Sequence, residues 1–299
     1  MGRRAMGRGP SGLALFLILI MGLVPLSSGI EIPIIAYILN AKPELISISI
    51  LDDRSATTSV IDPGVAFTLD VRCRDNNTAA DILEITIVAY SAQSSQSAQD
   101  SLTDHYTFRW SSSDGFTGSQ LDKAGCKAPS DRTGAEATWR FKARLDRSAR
   151  ASAWTIVAIV EDEAESSSRI TSVTVTTFVS FGLSSQSITV SGQPGKVAST
   201  GLRASYACNT QIQIGVRCTT FVGKQDPAYK LAPNDFMVDD DPSPGVPESG
   251  RPILTLSSTR QVFIDRLEGA GQMDLYIFIK IPETFKDQDY EGNLIFDAR

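Results

Sequence analysis

The chain has 299 residues, of which 42% are hydrophobic, 21% charged and 8% aromatic. This composition supports a buried core and excludes a disordered chain, a collagen and a coiled coil. The net charge of -6 gives no basic surface of the kind that nucleic-acid binding requires. The single histidine, His105, excludes most recognisable catalytic triads and zinc sites, because imidazole is their usual base or ligand. The length allows two domains of ordinary size.

The first 29 residues have the pattern of a secretory signal peptide. Three arginines, Arg3, Arg4 and Arg8, precede an apolar run over residues 13–26, and small residues follow at 27–29. This order predicts cleavage near Gly29 and an extracellular or cell-surface protein. The run is short for a membrane span, which needs about 20 residues. Because residues 30–38 are again apolar, an uncleaved membrane anchor is the alternative.

Residues 30–43 form an apolar N-terminal segment ahead of the first clear strand pattern. Residues 30–38 are Ile-Glu-Ile-Pro-Ile-Ile-Ala-Tyr-Ile. Such a segment is unstable when free in water. Three interpretations follow: the segment lies on its own domain, extends a membrane anchor, or adds a strand to a sheet of a neighbouring subunit.

Residues 44–180 are predicted to form an immunoglobulin-like β-sandwich. Apolar and polar residues alternate with period two over residues 67–73 and 139–145, which places one set of side chains inward and the other in water. Residues 91–104 are rich in Ser and Gln and predict an exposed loop. The predicted strands number seven, as in an immunoglobulin-like sandwich, and they cover residues 46–51, 67–73, 82–90, 105–110, 139–145, 153–160 and 170–179.

Residues 181–299 are predicted to form a second β-sandwich. Asn209 and Thr210 lie between two apolar runs and predict a tight turn, and the aspartates and prolines of residues 239–245 predict a loop. The fold class is therefore all-β, with two consecutive antiparallel β-sandwiches after the signal peptide. The predicted strands of this second block are residues 187–190, 201–208, 211–221, 235–238, 253–257, 261–264, 274–281 and 292–296.

The second block resembles β-sandwich modules of archaeal and bacterial secreted surface and filament proteins. The residues that carry this resemblance are Pro194-Gly195, Cys208-Asn209-Thr210, Ile281-Pro282 and the pattern Tyr-x-Gly-x-Leu-x-Phe that starts at Tyr290. The first block is similar to immunoglobulin-like modules of archaeal surface proteins in Asp75-Asn76-Asn77 and in residues 154–162. Both resemblances imply a structural or adhesive protein and not a catalytic one.

Four cysteines, Cys73, Cys126, Cys208 and Cys218, are present, and in an exported chain they are able to form disulfides. Cys73 and Cys218 fall on predicted inward faces, where buried free thiols are common. The alternatives are a Cys73–Cys126 bridge and a Cys208–Cys218 bridge. A tight turn at residues 209–210 disfavours the second bridge, because it separates the two sulfurs by about 20 Å.

Asp75, Asn77 and Asp81 are candidate calcium ligands, because oxygen ligands from loops at one end of a sandwich suit this cation. Solvated loop charge is the alternative interpretation of these residues. Asn76 is a candidate site of N-glycosylation in the sequon Asn76-Asn77-Thr78. We expect His105 to be a hydrogen-bonded surface residue.

These observations predict a protein that is not an enzyme, since no nucleophile, base and orienting partner can be assembled from the sequence. We expect a non-catalytic extracellular structural component of a cell-surface layer, sheath or filament. The alternative is an adhesive or binding module for a surface glycan or a partner protein. Calcium is the only candidate cofactor. The expected partners are cell-envelope components or further copies of the chain, with no nucleic acid, and with the membrane only through an uncleaved N-terminal segment.

Overall fold

The structure of the protein is a computed structural model, and it describes residues 40–242 and 254–299. The predicted signal peptide and residues 30–39 of the apolar segment lie outside the described residues. The described part of the chain forms 18 β-strands and two short 3-10 helices, Ala79–Asp81 and Pro233–Asp235. This confirms the all-β prediction. Within these residues, none of the helices has the length and apolar character to cross a membrane.

The N-terminal β-region, residues 44–175, contains two sheets that share one hydrophobic core. One sheet has the order β1-β3-β7 and the other has the order β2-β9-β8-β4-β5-β6. Neighbouring strands are antiparallel except β2 and β9. The strands are β1 (Glu44–Leu51), β2 (Val60–Ile61), β3 (Ala66–Arg74), β4 (Glu84–Ser91), β5 (His105–Ser111), β6 (Gly115–Thr117), β7 (Glu136–Arg144), β8 (Ala153–Glu161) and β9 (Ser166–Val175).

Alternating residues of β3 and β7 build the centre of this core. Leu69 and Val71 of β3 are fully buried and lie opposite Phe141 and Trp139 of β7. The ring of Trp139 lies 5.3 Å from the ring of Trp110, which comes from β5 in the other sheet. The period-two patterns of residues 67–73 and 139–145 therefore form the inward faces that the sequence predicts.

The C-terminal β-region, residues 179–298, contains a larger and a smaller sheet. The larger sheet has the order β10-β11-β16-β14-β15, with β18 also paired to β11, and the smaller has the order β13-β12-β17. The strands are β10 (Val179–Leu183), β11 (Val197–Cys218), β12 (Phe221–Gly223), β13 (Lys230–Leu231), β14 (Phe236–Asp239), β15 (Leu254–Thr255), β16 (Gln261–Lys280), β17 (Tyr290–Glu291) and β18 (Leu294–Ala298).

Two predictions for this region are wrong. The tight turn at Asn209-Thr210 is absent: β11 is one strand of 22 residues, and it pairs with β16, a single strand of 20 residues. A register shift between Cys208 and Ile212 takes the place of the turn. Residues 187–190, predicted as a strand, have no regular structure. The polar residues that suggested a turn instead form a bulge, which lets a strand bend without ending.

The buried apolar residues divide along the chain. One cluster draws on residues 45–175, and two others draw on residues 181–298. Residues 40–299 nevertheless form one compact unit. The domain limits 44–180 and 181–299, and the immunoglobulin-like class of each sandwich, therefore stay predictions.

We predict that the substitution Leu69→Ala lowers the free energy of unfolding by about 2–5 kcal/mol, because it opens a cavity in the core of the N-terminal β-region. Val65→Ala is the control, since Val65 is 42% exposed and its truncation should change the stability by less than about 0.5 kcal/mol. Urea unfolding measures both values. Equal losses for the two variants would show that β3 is not packed as described.

Candidate functional site

Asn209 joins the two β-regions. Its side chain, 3% exposed, lies at the bulge of β11. The amide nitrogen Nδ2 donates to the carbonyl oxygens of Ala149 and Thr176, both at 2.8 Å, and Oδ1 accepts from the backbone N–H of Phe178 at 2.7 Å. The backbone of Asn209 also donates to the oxygen of Phe178 and accepts from the N–H of Ala151. Both donors and the acceptor of the Asn209 amide therefore bond to the N-terminal β-region and to the linker, residues 176–178.

Arg150 forms a second connection beside Asn209. Its guanidinium donates to Asp104 at 2.9 Å and to Glu268 of β16 at 3.0 Å. Burial acts to raise the pKa of Asp104, but hydrogen bonds from Arg150, Ser91 and Thr103 outweigh that effect, and the pKa lies below its ordinary value. The Asp104 carboxylate is therefore held in its charged form, paired with the arginine that reaches the C-terminal β-region.

These contacts give the junction one defined geometry. A buried amide whose donors and acceptor are all bonded rigidifies its surroundings, because any other arrangement leaves polar groups unpaired in a medium of low dielectric constant. The groups that would lose their partners are the carbonyl oxygens of Ala149 and Thr176 and the N–H of Phe178. The junction that we name the Asn209 junction consists of Asn209, residues 149–151, residues 176–178 and Glu268.

A second candidate site lies at the loop end of the N-terminal β-region. Asp75 continues the inward face of β3 and is fully buried. Its Oδ1 accepts from the N–H of Asn77 at 2.9 Å, and its Oδ2 has no hydrogen-bond partner among the residues that the structure describes. The Asn77 side chain donates to Asn40 at 2.5 Å, and Asn40 donates to Asp162 at 2.9 Å. The loop that holds Asp75 and Asn77 is therefore linked through Asn40 to Asp162, in the loop between β8 and β9.

Asp81 lies apart from this chain of contacts, in the 3-10 helix Ala79–Asp81, whose first residues are capped by Thr78. Within residues 40–242 and 254–299, no three His, Cys, Asp or Glu side chains are grouped as metal ligands. The structure therefore connects Asp75 with Asn77, but no hydrogen bond in the described chain links either of them to Asp81. Calcium binding at Asp75, Asn77 and Asp81 stays a prediction.

Asn76, the candidate glycosylation site, is exposed in the same loop. The hydroxyl of Thr78, the third residue of the sequon, donates to the carbonyl oxygen of Arg132 at 2.7 Å. The asparagine is thus open to solvent while the threonine of the sequon helps to hold the loop. Glycosylation of Asn76 is still a prediction.

The four cysteines are free thiols in the structure. Cys73 is buried opposite Ala137, whereas the sulfur of Cys126 accepts from the N–H of Lys142 at 3.3 Å. Ala137 and Lys142 are five residues apart on β7, about 17 Å at the usual rise of a strand. The structure therefore does not bring Cys73 and Cys126 together. Cys208 and Cys218 are ten residues apart on β11, which separates them by about 33 Å.

His105, predicted at the surface, is buried with 2% exposure, and that prediction is wrong. Its Nδ1 lies 3.1 Å from Asp100 Oδ1 and its Nε2 lies 3.3 Å from the carbonyl oxygen of Gln96. Both partners come from the polar loop between β4 and β5, which folds back over the histidine. No sequence pattern predicts this return, because the loop contains few apolar residues.

No family model matches the chain, and no curated protein is similar to it in sequence. Among solved structures, the C-terminal domain of the Streptococcus pyogenes antigen I/II-family protein AspA has a TM-score of 0.29 and 10% identity, over 86% of this chain and 95% of that one. The C-terminal domain of the Streptococcus agalactiae AgI/II polypeptide BspA has a TM-score of 0.25 and 12% identity, over 85% and 98%. Red sea bream transglutaminase has a TM-score of 0.26 and 8% identity, over 84% and 29%. Scores this low carry no functional argument, and the function proposed below rests on the chain's own residues.

We predict that Asn209→Ala lowers the free energy of unfolding by about 3 kcal/mol, because it leaves the buried carbonyl of Ala149, and the partly buried carbonyl of Thr176 and N–H of Phe178, without partners. Asn293→Ala is the matched control, since Asn293 is exposed and, within residues 40–242 and 254–299, bonds only through its backbone. Its effect should stay below about 0.5 kcal/mol. Urea unfolding gives both values, and proteolysis of residues 176–178 should accelerate in the Asn209 variant alone. Equal behaviour of the two variants would contradict the role of the junction.

We predict that the stability falls as the pH rises above about 9. Burial raises the pKa of Cys73 and of Cys218 to about 12, whereas a thiol in the unfolded chain has a pKa of about 8.5. Above that value the unfolded chain loses thiol protons that the folded chain keeps, so each thiol costs about 1.4 kcal/mol of stability per pH unit. Urea unfolding between pH 8 and pH 10 should show this slope, and the double variant Cys73→Ala, Cys218→Ala should reduce it. An unchanged slope in that variant would show that the two thiols are not the cause.

Proposed function

We propose that the protein is a non-catalytic structural component of the cell surface, built into a layer, sheath or filament. The observation that supports this best is the Asn209 junction. A building unit needs a fixed geometry, because a small angular error at each unit is repeated at every following contact in an open assembly. In this chain, a fully bonded buried amide and the Arg150 ion pairs fix that geometry.

Placement outside the cell is supported by the signal-peptide pattern of residues 1–29. The charged, apolar and small residues follow one another in the order that export requires. The non-catalytic part of the proposal is supported by His105, whose two ring nitrogens lie within hydrogen-bonding distance of Asp100 and Gln96 inside the protein. The ring is 2% exposed and its Nε2 faces the carbonyl oxygen of Gln96, so neither ring nitrogen is open to a substrate.

Assembly would proceed by strand addition. In the described residues, β10 and β18 each pair with β11 and with no other strand, so the outer side of both strands offers unpaired backbone groups. Val179 on β10 is 37% exposed. An open edge of this kind accepts an extended segment from another chain. Residues 30–38 have the β-branched, apolar composition that such a segment needs, and we propose that they are the donated strand.

We predict that the mature protein forms polymers and that deletion of residues 30–39 gives monomers. The deletion leaves Asn40 and its bonds to Asn77 and Asp162 in place, so the thermal unfolding temperature should not change. Electron microscopy and size-exclusion chromatography measure the assembly. The double variant Ile34→Asp, Ile35→Asp should act like the deletion, and Glu31→Gln should assemble normally.

Three results would contradict this proposal. Absence of polymers in the mature protein would exclude a structural role of this kind. Polymers that persist after the deletion would exclude strand donation. A lower unfolding temperature of the truncated protein would show that the segment packs on its own chain.

A further inference from the structure

An aromatic and charged surface lies beside the small sheet of the C-terminal β-region. We name it the Tyr229 surface, and it consists of Tyr229, Phe285, Tyr290, Asp226 and Lys286. The rings of Tyr229 and Phe285 meet edge to face at 6.2 Å, and those of Phe285 and Tyr290 lie 4.9 Å apart. Tyr229 is 37% exposed. Phe285 and Tyr290 are partly buried and pack against the core of the C-terminal β-region, so they support the exposed Tyr229 ring from below. Exposed aromatic side chains on a packed base are enriched where proteins bind partners.

Gln288 holds the two loops of this surface together. Its Oε1 accepts from the backbone N–H of Asp226 at 2.8 Å, and its Nε2 donates to the carbonyl oxygen of Asp226 at 3.3 Å and to the hydroxyl of Tyr290 at 3.2 Å. The Tyr290 hydroxyl in turn donates to the carbonyl oxygen of Lys286 at 3.1 Å. The loops are therefore ordered before any ligand arrives, which reduces the entropy lost on binding.

The glycine at position 223 allows this arrangement. A Cβ atom on Gly223 would lie 2.4 Å from Nε2 of Gln288 and 2.7 Å from the carbonyl oxygen of Asp226. Such distances are far below van der Waals contact, so a larger residue would displace the glutamine or the loop backbone. Gly223 therefore leaves space for Gln288, which orders the two loops of the surface.

A donor and an acceptor lie side by side, with the Lys286 ammonium over one face of the partly exposed Tyr229 ring. Nζ of Lys286 lies 5.6 Å from the centre of the Tyr229 ring and 3.3 Å from Oδ2 of Asp226. A sugar ring has C–H groups on its faces and hydroxyl groups around its rim. The C–H groups suit the electron-rich face of an aromatic ring, and the hydroxyl groups suit a carboxylate and an ammonium group.

We propose that the Tyr229 surface binds carbohydrate, with one sugar ring packed on the exposed part of the Tyr229 ring that Lys286 does not cover and its hydroxyl groups bonded to Asp226 and Lys286. This is a binding activity beyond the structural role proposed above and does not depend on strand donation. It would allow the assembled protein to hold a polysaccharide of the cell envelope.

The experiment uses the mature protein on an array of neutral hexose, N-acetylhexosamine and uronic-acid oligosaccharides, followed by calorimetry with the oligosaccharide that binds best. Tyr229→Ala should weaken binding at least about tenfold, while Tyr229→Phe should keep most of it, since the ring remains. Val262→Ala is the control, because Val262 is 42% exposed in the same β-region and should bind like the unaltered protein. Thermal unfolding should be the same for all three variants.

The proposal is overturned if the unaltered protein binds none of the three classes. It is also overturned if binding survives Tyr229→Ala, or if Val262→Ala weakens it equally. Binding to uronic-acid polymers alone that survives Tyr229→Ala and disappears at high salt would show simple charge attraction and would overturn it as well. Electron microscopy of the Tyr229→Ala variant distinguishes loss of sugar binding from loss of assembly, because polymers should form whether or not sugar is bound.

Discussion

Burial of a primary amide is the constraint on which the rest of the molecule depends. Asn209 has two donors and a carbonyl oxygen that water cannot reach, and all of them are bonded to the backbone of residues 149–178. Leaving such groups unpaired would cost more than most single contacts contribute. The long strand β11, the course of the linker into β10 and the position of Arg150 beside Glu268 are therefore determined together.

Much of the fold follows from local sequence pattern. The alternation of residues 67–73 and 139–145 correctly predicts buried faces, because each second residue is large and apolar and the partner strand has the same period. The prediction from local sequence is wrong at Asn209-Thr210. A polar pair between apolar runs usually bonds its own backbone and turns the chain, but here the asparagine bonds a segment about 60 positions away, which no local pattern reveals.

The candidate sites were harder to predict for the same reason. The acidic pattern indicates Asp75 and Asn77 but not Asn40, which links them to Asp162. No local pattern predicts the Tyr229 surface, since its aromatic residues lie on two segments of the chain that β13 to β16 separate. Gly223 and Gln288 indicate the site only when they are considered together, because Gln288 packs where a side chain at position 223 would lie.

The pairing of β11 with β16 determines the order in which parts of the chain are able to fold during synthesis. Val197 pairs with Lys280, so a growing chain presents the whole of β11 before its principal partner exists. During that interval the N-terminal β-region is already synthesised, while a long strand with unpaired edges is open to wrong association. The nascent protein should therefore depend on holding chaperones between synthesis of β11 and synthesis of β16, and translational pauses in that stretch should lower its yield.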